Sequence, residues 1–164
     1  PGPDRAIVTS PFYESITAGL GGLIERAWDS HGMLVLDLPA ANLVPVVDRL
    51  KKEFGFALFL DVTAVDHLGR VPRFDVVYHF LCPAQMQRVR LKVKVDEANP
   101  EVPTLTTHYG AARFMEREVH DMYGIRFAGN GDLRPILLYE GFEGHPLRKD
   151  YAMEYEQPIV PYRK

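Results

Sequence analysis

The segment EREVHDMYG, which starts at Glu116, combines acids, a base and a histidine at spacings that could do chemistry. If it is helical, Glu116 and His120 lie four residues apart on one face, where two side chains can bind one metal ion. Two ligands do not make a metal site, however, and no second histidine completes a helical zinc motif. Arg113 and Arg117 can instead pair with acids of this helix, among them Asp121. We therefore expect a lattice of ion pairs and no metal.

A second polar group, Asp61, Asp66 and His67, falls near the end of a predicted strand, where acids often take part in catalysis. The sequence shows no nucleophile with a base partner beside them, and no acidic pair with a specific motif. We therefore predict no catalytic residues. A stand-alone enzyme using these residues, or the face of Glu116 and His120, stays an alternative that predicts a concave pocket with perturbed acids.

The single cysteine, Cys82, can form no internal disulfide and cannot hold an iron–sulfur cluster alone. In YHFLCPAQ it follows apolar residues and precedes turn-forming ones, and no adjacent base would lower its thiol pKa. We expect a small buried side chain near the end of a strand, as is typical of a protein in a reducing compartment.

One predicted strand, residues 87–95, carries a basic face. Its sequence QRVRLKVKV alternates apolar side chains with Arg88, Arg90, Lys92 and Lys94. Such a face could bind nucleic acid, but no aromatic residues interleave with the cations to stack bases. The chain is also acidic overall, with a formal net charge of −3. We therefore expect a half-buried strand with a solvated basic face.

The predicted elements give an α+β fold with two layers, in which helices pack on a mixed or mostly antiparallel sheet. In order, they are a helix over 12–30, a strand over 33–38, a helix over 41–54, an antiparallel meander of strands over 56–67, 73–82 and 87–95, and a helix over about 107–123 with Thr106 or Thr107 as its N-cap.

From Ile125 onward the helical period disappears. Glycine and proline recur, and apolar residues come in short bursts such as PILLY and PIVPY. About 40 residues of this kind cannot close a core of their own, yet they are too apolar for a solvated tail. We therefore divide the chain into an α+β domain, residues 1–124, and an extended C-terminal arm, residues 125–164, that docks on a partner.

The stretch GHPLRKDY, residues 144–151, contains charges and turn residues but no metal cluster, nucleophile or phosphate loop. Pro146 favours an extended conformation in the residue before it. In an extended chain Arg148 and Asp150 face one side and Lys149 the other. Arg148 could then fork onto a carboxylate while Asp150 accepts a hydrogen bond from a neighbouring donor. This pattern predicts a docking strip.

Two segments together resemble a known family. EREVHDMYGIRF, followed by GDLRPILLYEGFEGHPLRKDY, is similar to the signature of the 30-kilodalton subunit family of respiratory complex I, whose bacterial members are the C subunits of NADH-quinone oxidoreductase. The match is close from Phe114 to Tyr151, and the order of elements upstream is similar to that of the family's domain. The resemblance therefore covers most of the chain.

The resemblance implies a non-catalytic structural subunit in the peripheral arm of the proton-translocating NADH:quinone oxidoreductase of the respiratory chain. The family has no cofactor of its own: partner subunits bind NADH, FMN, the Fe-S clusters and quinone. It packs on the 49-kilodalton subunit near the quinone site. The complex places it on the cytoplasmic side of the bacterial inner membrane. By resemblance, the interface residues are Glu116, Arg117, Glu118, Asp121, Gly144, His145, Pro146, Leu147, Arg148, Lys149, Asp150 and Tyr151.

Two other functions stay open. Relatives of this subunit also serve in complex I-like membrane-bound hydrogenases, where an equivalent subunit shares the fold and the arm. A free adaptor for an unrelated partner is a further alternative, and it predicts a stable monomer.

The chain departs from the family pattern in the arm. The family commonly has GHPDLRR where this chain has GNGDLRP, so Asn130, Gly131 and Pro135 replace a histidine, a proline and an arginine. Because Asn-Gly favours a tight turn with positive φ, we expect a different local path there. Ala152 also stands where the family tends to have proline after KDY.

Overall fold

The computed structural model describes residues 10–157. Its centre is a five-stranded sheet made of β1 Arg26–Ser30, β2 Met33–Leu38, β3 Leu58–Asp66, β4 Phe74–Cys82 and β5 Gln87–Val95. The strand order is β1-β2-β5-β4-β3. Strands β2 and β5 run parallel, and the other neighbouring pairs are antiparallel. The predicted α+β fold with a mixed sheet is confirmed.

Helices cover one face of this sheet. The helices are α1 Pro11–Leu20, α2 Leu43–Lys52 and α3 Ala112–Tyr123, and a small parallel pair consists of β6 Glu101–Pro103 and β7 Arg126–Ala128. Their buried apolar side chains form one cluster with alternate residues of the sheet, such as Leu36, Tyr78 and Leu91. None of the helices within residues 10–157 has the length and apolar character needed to cross a membrane.

Several predictions about elements and burial are confirmed. The strand predicted over 33–38 is β2, and β3, β4 and β5 form the predicted meander. Helix α2 buries the expected stripe, and Pro45 lies in its first turn, where a missing N–H costs little. Cys82 ends β4 and is buried. The stripe residues of α2 are Leu43, Val46, Val47 and Leu50.

The helix predicted over residues 12–30 is wrong beyond Leu20. Helix α1 ends there, Gly21 adopts a φ of 49°, and a short 3₁₀ turn leads into strand β1. Strand β1 then pairs with β2 through a two-residue turn at His31 and Gly32, both with positive φ. Glycines weaken a helix, and the hydrogen bonds that β2 supplies favour the strand here.

The predicted start of the last helix is also wrong. Helix α3 begins at Ala112, and its N-cap is Ala111, without a side-chain cap. The residues before it form turns, with the amides of His108 and Tyr109 bonded to the carbonyl of Leu105. The Tyr109 hydroxyl donates to the carbonyl of Phe56 at 2.7 Å, which fixes this segment against the domain core.

The first residues of the predicted arm belong to the domain core, because Ile125 and the β7 residue Phe127 are fully buried. After Ala128, the described chain contains turns and irregular segments up to Gln157, with no helix or strand. We call residues 129–157, which lie on the surface of the domain, the arm.

Candidate partner-binding site

Helix α3 holds the middle of the arm through the carboxylate of Asp121. One oxygen, Oδ2, accepts hydrogen bonds from the backbone N–H groups of Ile136 at 2.7 Å and Leu137 at 3.0 Å. Asp121 is buried, so these bonds satisfy a charge that has left water. The PILL segment is therefore fixed by its backbone, which leaves its side chains available for contacts.

Arg117 supports the same part of the arm. Its guanidinium donates to the carbonyls of Arg134 at 2.8 Å and Pro135 at 2.9 Å. Arg113 lies 3.7 Å from the carboxylate of Asp132, at an exposed site. The predicted lattice of ion pairs within α3 is therefore wrong, since these arginines bind groups of the arm.

Glu116 is fully buried and joins three segments. Its carboxylate accepts bonds from the Leu105 N–H at 2.7 Å, the Thr104 hydroxyl at 2.6 Å and the Asn130 side-chain amide at 2.9 Å. Burial raises the pKa of Glu116, and these three donors oppose that rise. Asn130 thus binds Glu116, a contact that the sequence did not reveal.

Glu116 and His120 do not bind a common group. The Nδ1 atom of His120 lies 3.1 Å from the carbonyl of Ile125, whereas the Glu116 carboxylate bonds other segments. No cluster of three or more histidine, cysteine or acidic side chains suited to a metal ion occurs within residues 10–157.

The turn after β7 departs from the Asn-Gly prediction. The amide of Asn130 bonds the carbonyl of Phe127 at 3.0 Å, and the positive φ of 92° belongs to Gly129. Asn130 and Gly131 have no positive φ, so the turn with positive φ predicted at Asn-Gly is wrong. The Asn130 side chain is positioned by Glu116 and by a bond from the Asp132 N–H.

The GHPLRKDY stretch is folded into turns, so the predicted extended alternation of its side chains is wrong. The Arg148 N–H bonds the carbonyl of His145, and the Tyr151 N–H bonds that of Arg148, both at 3.1 Å. The Leu147 N–H also bonds the carbonyl of Met122 at the end of α3. Two consecutive turns with such bonds wrap the stretch around the helix end.

Arg148 and His145 close on the carbonyl end of α3. The Arg148 Nε donates to the carbonyl of Tyr123 at 2.6 Å, and the His145 Nδ1 lies 2.8 Å from the carbonyl of Asp121. Both bonds satisfy carbonyls that a helix end leaves without partners. Gly124, with φ of 72°, is required here because a Cβ would collide with the His145 ring. The Nε atom of Arg148 therefore binds its own chain.

Arg73 is the strongest link between arm and sheet. It is buried, and its guanidinium forks onto Asp66 at 2.7 and 2.8 Å and onto Asp150 at 2.8 and 2.9 Å. Glu97 accepts a further bond from it. The Lys149 N–H adds a 2.8 Å bond to Asp66. The hydrogen bonds from Arg73 lower the pKa of both Asp66 and Asp150.

The three residues considered for catalysis are used separately. Asp66 binds Arg73, His67 lies 3.1 Å from the carboxylate of Asp75, and Asp61 is exposed on β3. Sequence reasoning missed Arg73, whose only signal was a charge placed directly before a strongly apolar strand.

Fixed in this way, the arm still exposes large apolar side chains. Leu137 is 61% exposed and Leu147 52%, and Tyr139 is also exposed. Phe114, on the outer side of α3, is 58% exposed. Of the predicted interface residues, those with exposed side chains or backbone are Glu118, Gly144, Leu147, Lys149 and Asp150.

Comparison with known proteins gives a consistent assignment. The family model described as "Respiratory-chain NADH dehydrogenase, 30 Kd subunit" matches residues 36–157. A C subunit of the NADH-quinone oxidoreductase of Rhizobium meliloti is 47% identical over 81% of this chain and 67% of its own length. The corresponding C subunit of Ruegeria pomeroyi is 48% identical over 76% of this chain and 64% of its own length. The chain thus spans about two thirds of these relatives.

Solved structures share the fold. A trypsin-resistant fragment of Nqo5 superposes with a TM-score of 0.64 and 32% identity, over 73% of this chain and 95% of the fragment. A chain of the membrane-bound sulfane sulfur reductase, an archaeal respiratory membrane complex, superposes with a TM-score of 0.76 over 93% of this chain and 98% of its own length. Its identity of 23% supports the fold alone. On the family match and the relatives from NADH-quinone oxidoreductase, the chain belongs to the 30-kilodalton subunit family of respiratory-chain NADH dehydrogenase.

Proposed function

We propose that this chain is a non-catalytic structural subunit in the peripheral arm of a proton-translocating NADH:quinone oxidoreductase. Its own arm packs on the 49-kilodalton subunit near the quinone site, on the cytoplasmic side of the membrane. Partner subunits bind NADH, FMN, the iron–sulfur clusters and quinone. The membership of the family supports this role, since the relatives are named as subunits of that oxidoreductase.

The observation that carries the proposal is an arm with a fixed backbone and exposed apolar side chains. Asp121, Arg117 and Arg73 anchor it at three points to its own domain. Leu137 and Leu147 nevertheless point into solvent. Because its backbone is already ordered, such a segment loses little conformational entropy when a partner covers these side chains.

This arrangement gives the predicted interface residues two roles. Glu116 and Asp121 are buried in bonds to their own chain and shape the surface from within. Glu118, Leu147 and Lys149 are exposed and can contact a partner directly. Substitutions of the first group act through folding, and those of the second act through assembly.

The test is Leu147→Asp in the tagged full chain, expressed in its host. A charge in place of a leucine that becomes buried should lower the assembled fraction about tenfold or more. Leu58→Asp is the matched control, because Leu58 is a leucine of similar exposure, 47%, at the start of β3, whose other end contacts the arm through Asp66. Native gels of solubilised membranes and NADH:quinone activity measure the effect. Normal assembly and activity of Leu147→Asp would refute arm docking.

A second candidate is the equivalent subunit of another complex I-like membrane complex, including a membrane-bound hydrogenase. A chain of the sulfane sulfur reductase shares the fold over 93% of this chain, which supports this second candidate. Mass spectrometry of what co-purifies with the tagged chain separates the two. Recovery of the 49-kilodalton subunit with NADH:quinone activity supports the first candidate, and recovery of nickel–iron hydrogenase chains supports the second.

A further inference from the structure

The sheet has a second surface, on the face that the helices do not cover. Residues of this face lie side by side across the strands: Arg90 of β5 stands between Val35 of β2 and His79 of β4. Val35 and Val77 are buried although neither belongs to the core cluster beneath the helices. The long polar side chains of the same face therefore cover them.

This face is basic and includes an aromatic ring. The five cations that alternation and strand pairing place on it are Arg26, Arg88, Arg90, Lys92 and Lys94. Trp28 lies between two of them, with its ring 5.2 Å from the Arg26 guanidinium and 5.7 Å from the Lys92 amine. The tertiary fold thus brings an aromatic side chain next to the basic strand, which the sequence of the strand alone did not show.

Acids on the same face neutralise only part of this charge. Asp75 is paired with Arg70, which reaches it from the loop between β3 and β4. Asp37 is buried beside Lys92 and Lys94, and burial raises its pKa while the two lysines oppose the rise. Asp75 and Asp37 therefore lie low in the face. Glu25 also reaches this face and pairs with Lys94 at 3.6 Å, and Asp61 stands beside His79. None of these four acids forms a salt bridge with Arg88 or Arg90 within residues 10–157.

The basic face continues into a groove at one end of the sheet. The groove has a volume of about 680 Å³ and lies between the turn that joins β1 to β2 and the turn that joins β4 to β5. Its cations are Arg88 and Arg90, and Met33, Leu81 and Met86 supply apolar surface. None of its lining residues is acidic. In a chain with a net charge of −3, this groove is a local concentration of positive charge.

The two arginines are free to bind an anion. Arg88 is exposed and forms no salt bridge within residues 10–157. Arg90 donates from Nε to the His79 Nε2 at 3.3 Å, which leaves its two terminal amino groups directed away from that bond. Guanidinium groups bind carboxylates through paired N–H donors, so two neighbouring arginines suit two carboxylates.

We propose that this groove and the adjoining basic row bind an acidic peptide segment of a partner protein. Carboxylates of the segment bind Arg88 and Arg90, and an apolar side chain of the segment packs between Met33, Leu81 and Met86. Methionine adapts to such side chains because its thioether is flexible and polarizable. A polypeptide is favoured over nucleic acid because an apolar side chain beside its carboxylates can occupy the apolar surface of Met33, Leu81 and Met86, and because the net charge of −3 opposes the binding of a polyanion.

The surface is separate from the arm. The arm contacts the start of β4, through Arg73 and Phe74, whereas the groove lies beyond the end of β4 at Leu81. Nine strand residues separate these ends by roughly 27 Å. The groove therefore takes a different segment from the one that covers the arm, and its test does not depend on arm docking.

The experiment places the photo-crosslinker p-benzoylphenylalanine at Gln87, a groove residue, in the tagged full chain in host membranes. After irradiation, mass spectrometry identifies the attached molecule. We expect a peptide rich in aspartate and glutamate from another protein. Arg88→Glu should reduce the crosslink at least about fivefold, because like charges across an interface repel. Exchanging one glutamate of the captured segment for arginine should restore the crosslink to Arg88→Glu.

Lys52→Glu is the control, since Lys52 is an exposed cation on helix α2, away from this face. It should leave the crosslink unchanged, and immunoblots should show equal amounts of all variants. Arg88→Gln, which keeps a polar side chain, should give an intermediate loss. A crosslink to lipid, to nucleic acid or to a peptide without acids would overturn the proposal, as would no crosslink or one insensitive to Arg88→Glu.

Discussion

At the scale of single residues, Arg73 is the buried charge on which the attachment of the arm depends. Replacing it with methionine keeps most of the side-chain volume but leaves the buried Asp66 without its cation. Breaking a buried pair in this way costs about 3–5 kcal/mol of the free energy of unfolding. Urea denaturation measures the loss. The exposed Arg126, paired with Glu101, gives the matched control Arg126→Met, with an expected loss below about 1 kcal/mol.

The bonds between Arg73 and its two aspartates predict that the stability of the fold depends on pH. Bonds from Arg73 hold the pKa of Asp66 and Asp150 below the ordinary value of 3.8. A lowered folded-state pKa contributes stability that is complete above that value and is lost as the pH falls below it. The urea midpoint should therefore decrease from about pH 5 to about pH 3, and less steeply in Asp150→Asn. Equal slopes would show that Asp150 is not bonded to Arg73 in solution.

Glu116 and Glu118 lie two residues apart on α3, but their substitution should change the stability of the fold by very different amounts. Glu116→Ala removes the partner of three buried donors and should cost about 3 kcal/mol of stability. Glu118→Ala changes an exposed side chain and should alter stability by less than about 0.5 kcal/mol. Thermal and urea unfolding of both variants measure this. If Glu118 contacts a partner, its substitution should affect assembly while the folded chain stays stable.

At the scale of elements, the sequence predicted best where local pattern and tertiary contacts agree. Strand β5 alternates apolar and charged residues, β4 is a mostly apolar run, and α2 has one apolar stripe. Each of these elements was therefore predicted close to its final bounds. The stretch around Trp28 fits a helical period as well, yet pairing with β2 makes it a strand. The turns before α3 likewise depend on Tyr109 reaching Phe56, a contact across 53 residues.

Helix α3 and the arm form one element-scale unit through Asp121. Asp121→Ala removes the acceptor for the N–H groups of Ile136 and Leu137, which are then held less firmly. Hydrogen exchange at these amides should accelerate, and chymotrypsin should cut faster after Tyr139, an exposed aromatic residue just beyond them. Glu118→Ala on the same helix is the control and should leave both rates unchanged. Unchanged exchange in Asp121→Ala would contradict this anchoring.

At the scale of the whole molecule, the least predictable features are contacts between distant parts of the chain. The arm was recognised as a surface segment, but its bond from Arg73 to Asp150 spans 77 residues. No local pattern encodes such a pair, because either partner alone resembles an ordinary surface charge. The same holds for Trp28 beside Lys92, which only the sheet order brings together. Sequence therefore located the candidate interface and left open which of its charges face inward.

The two proposed surfaces should act independently in the assembled protein. Leu147 and Arg88 lie near opposite ends of β4, which are roughly 27 Å apart, and they share no contacts in the described residues. Substitutions at such distances usually have additive free-energy effects. The association constant for assembly of Leu147→Asp/Arg88→Glu, obtained from native gels at several protein concentrations, should therefore fall by the product of the two single factors. A much smaller combined loss would mean that one partner segment spans both surfaces, and the two would then be parts of a single interface.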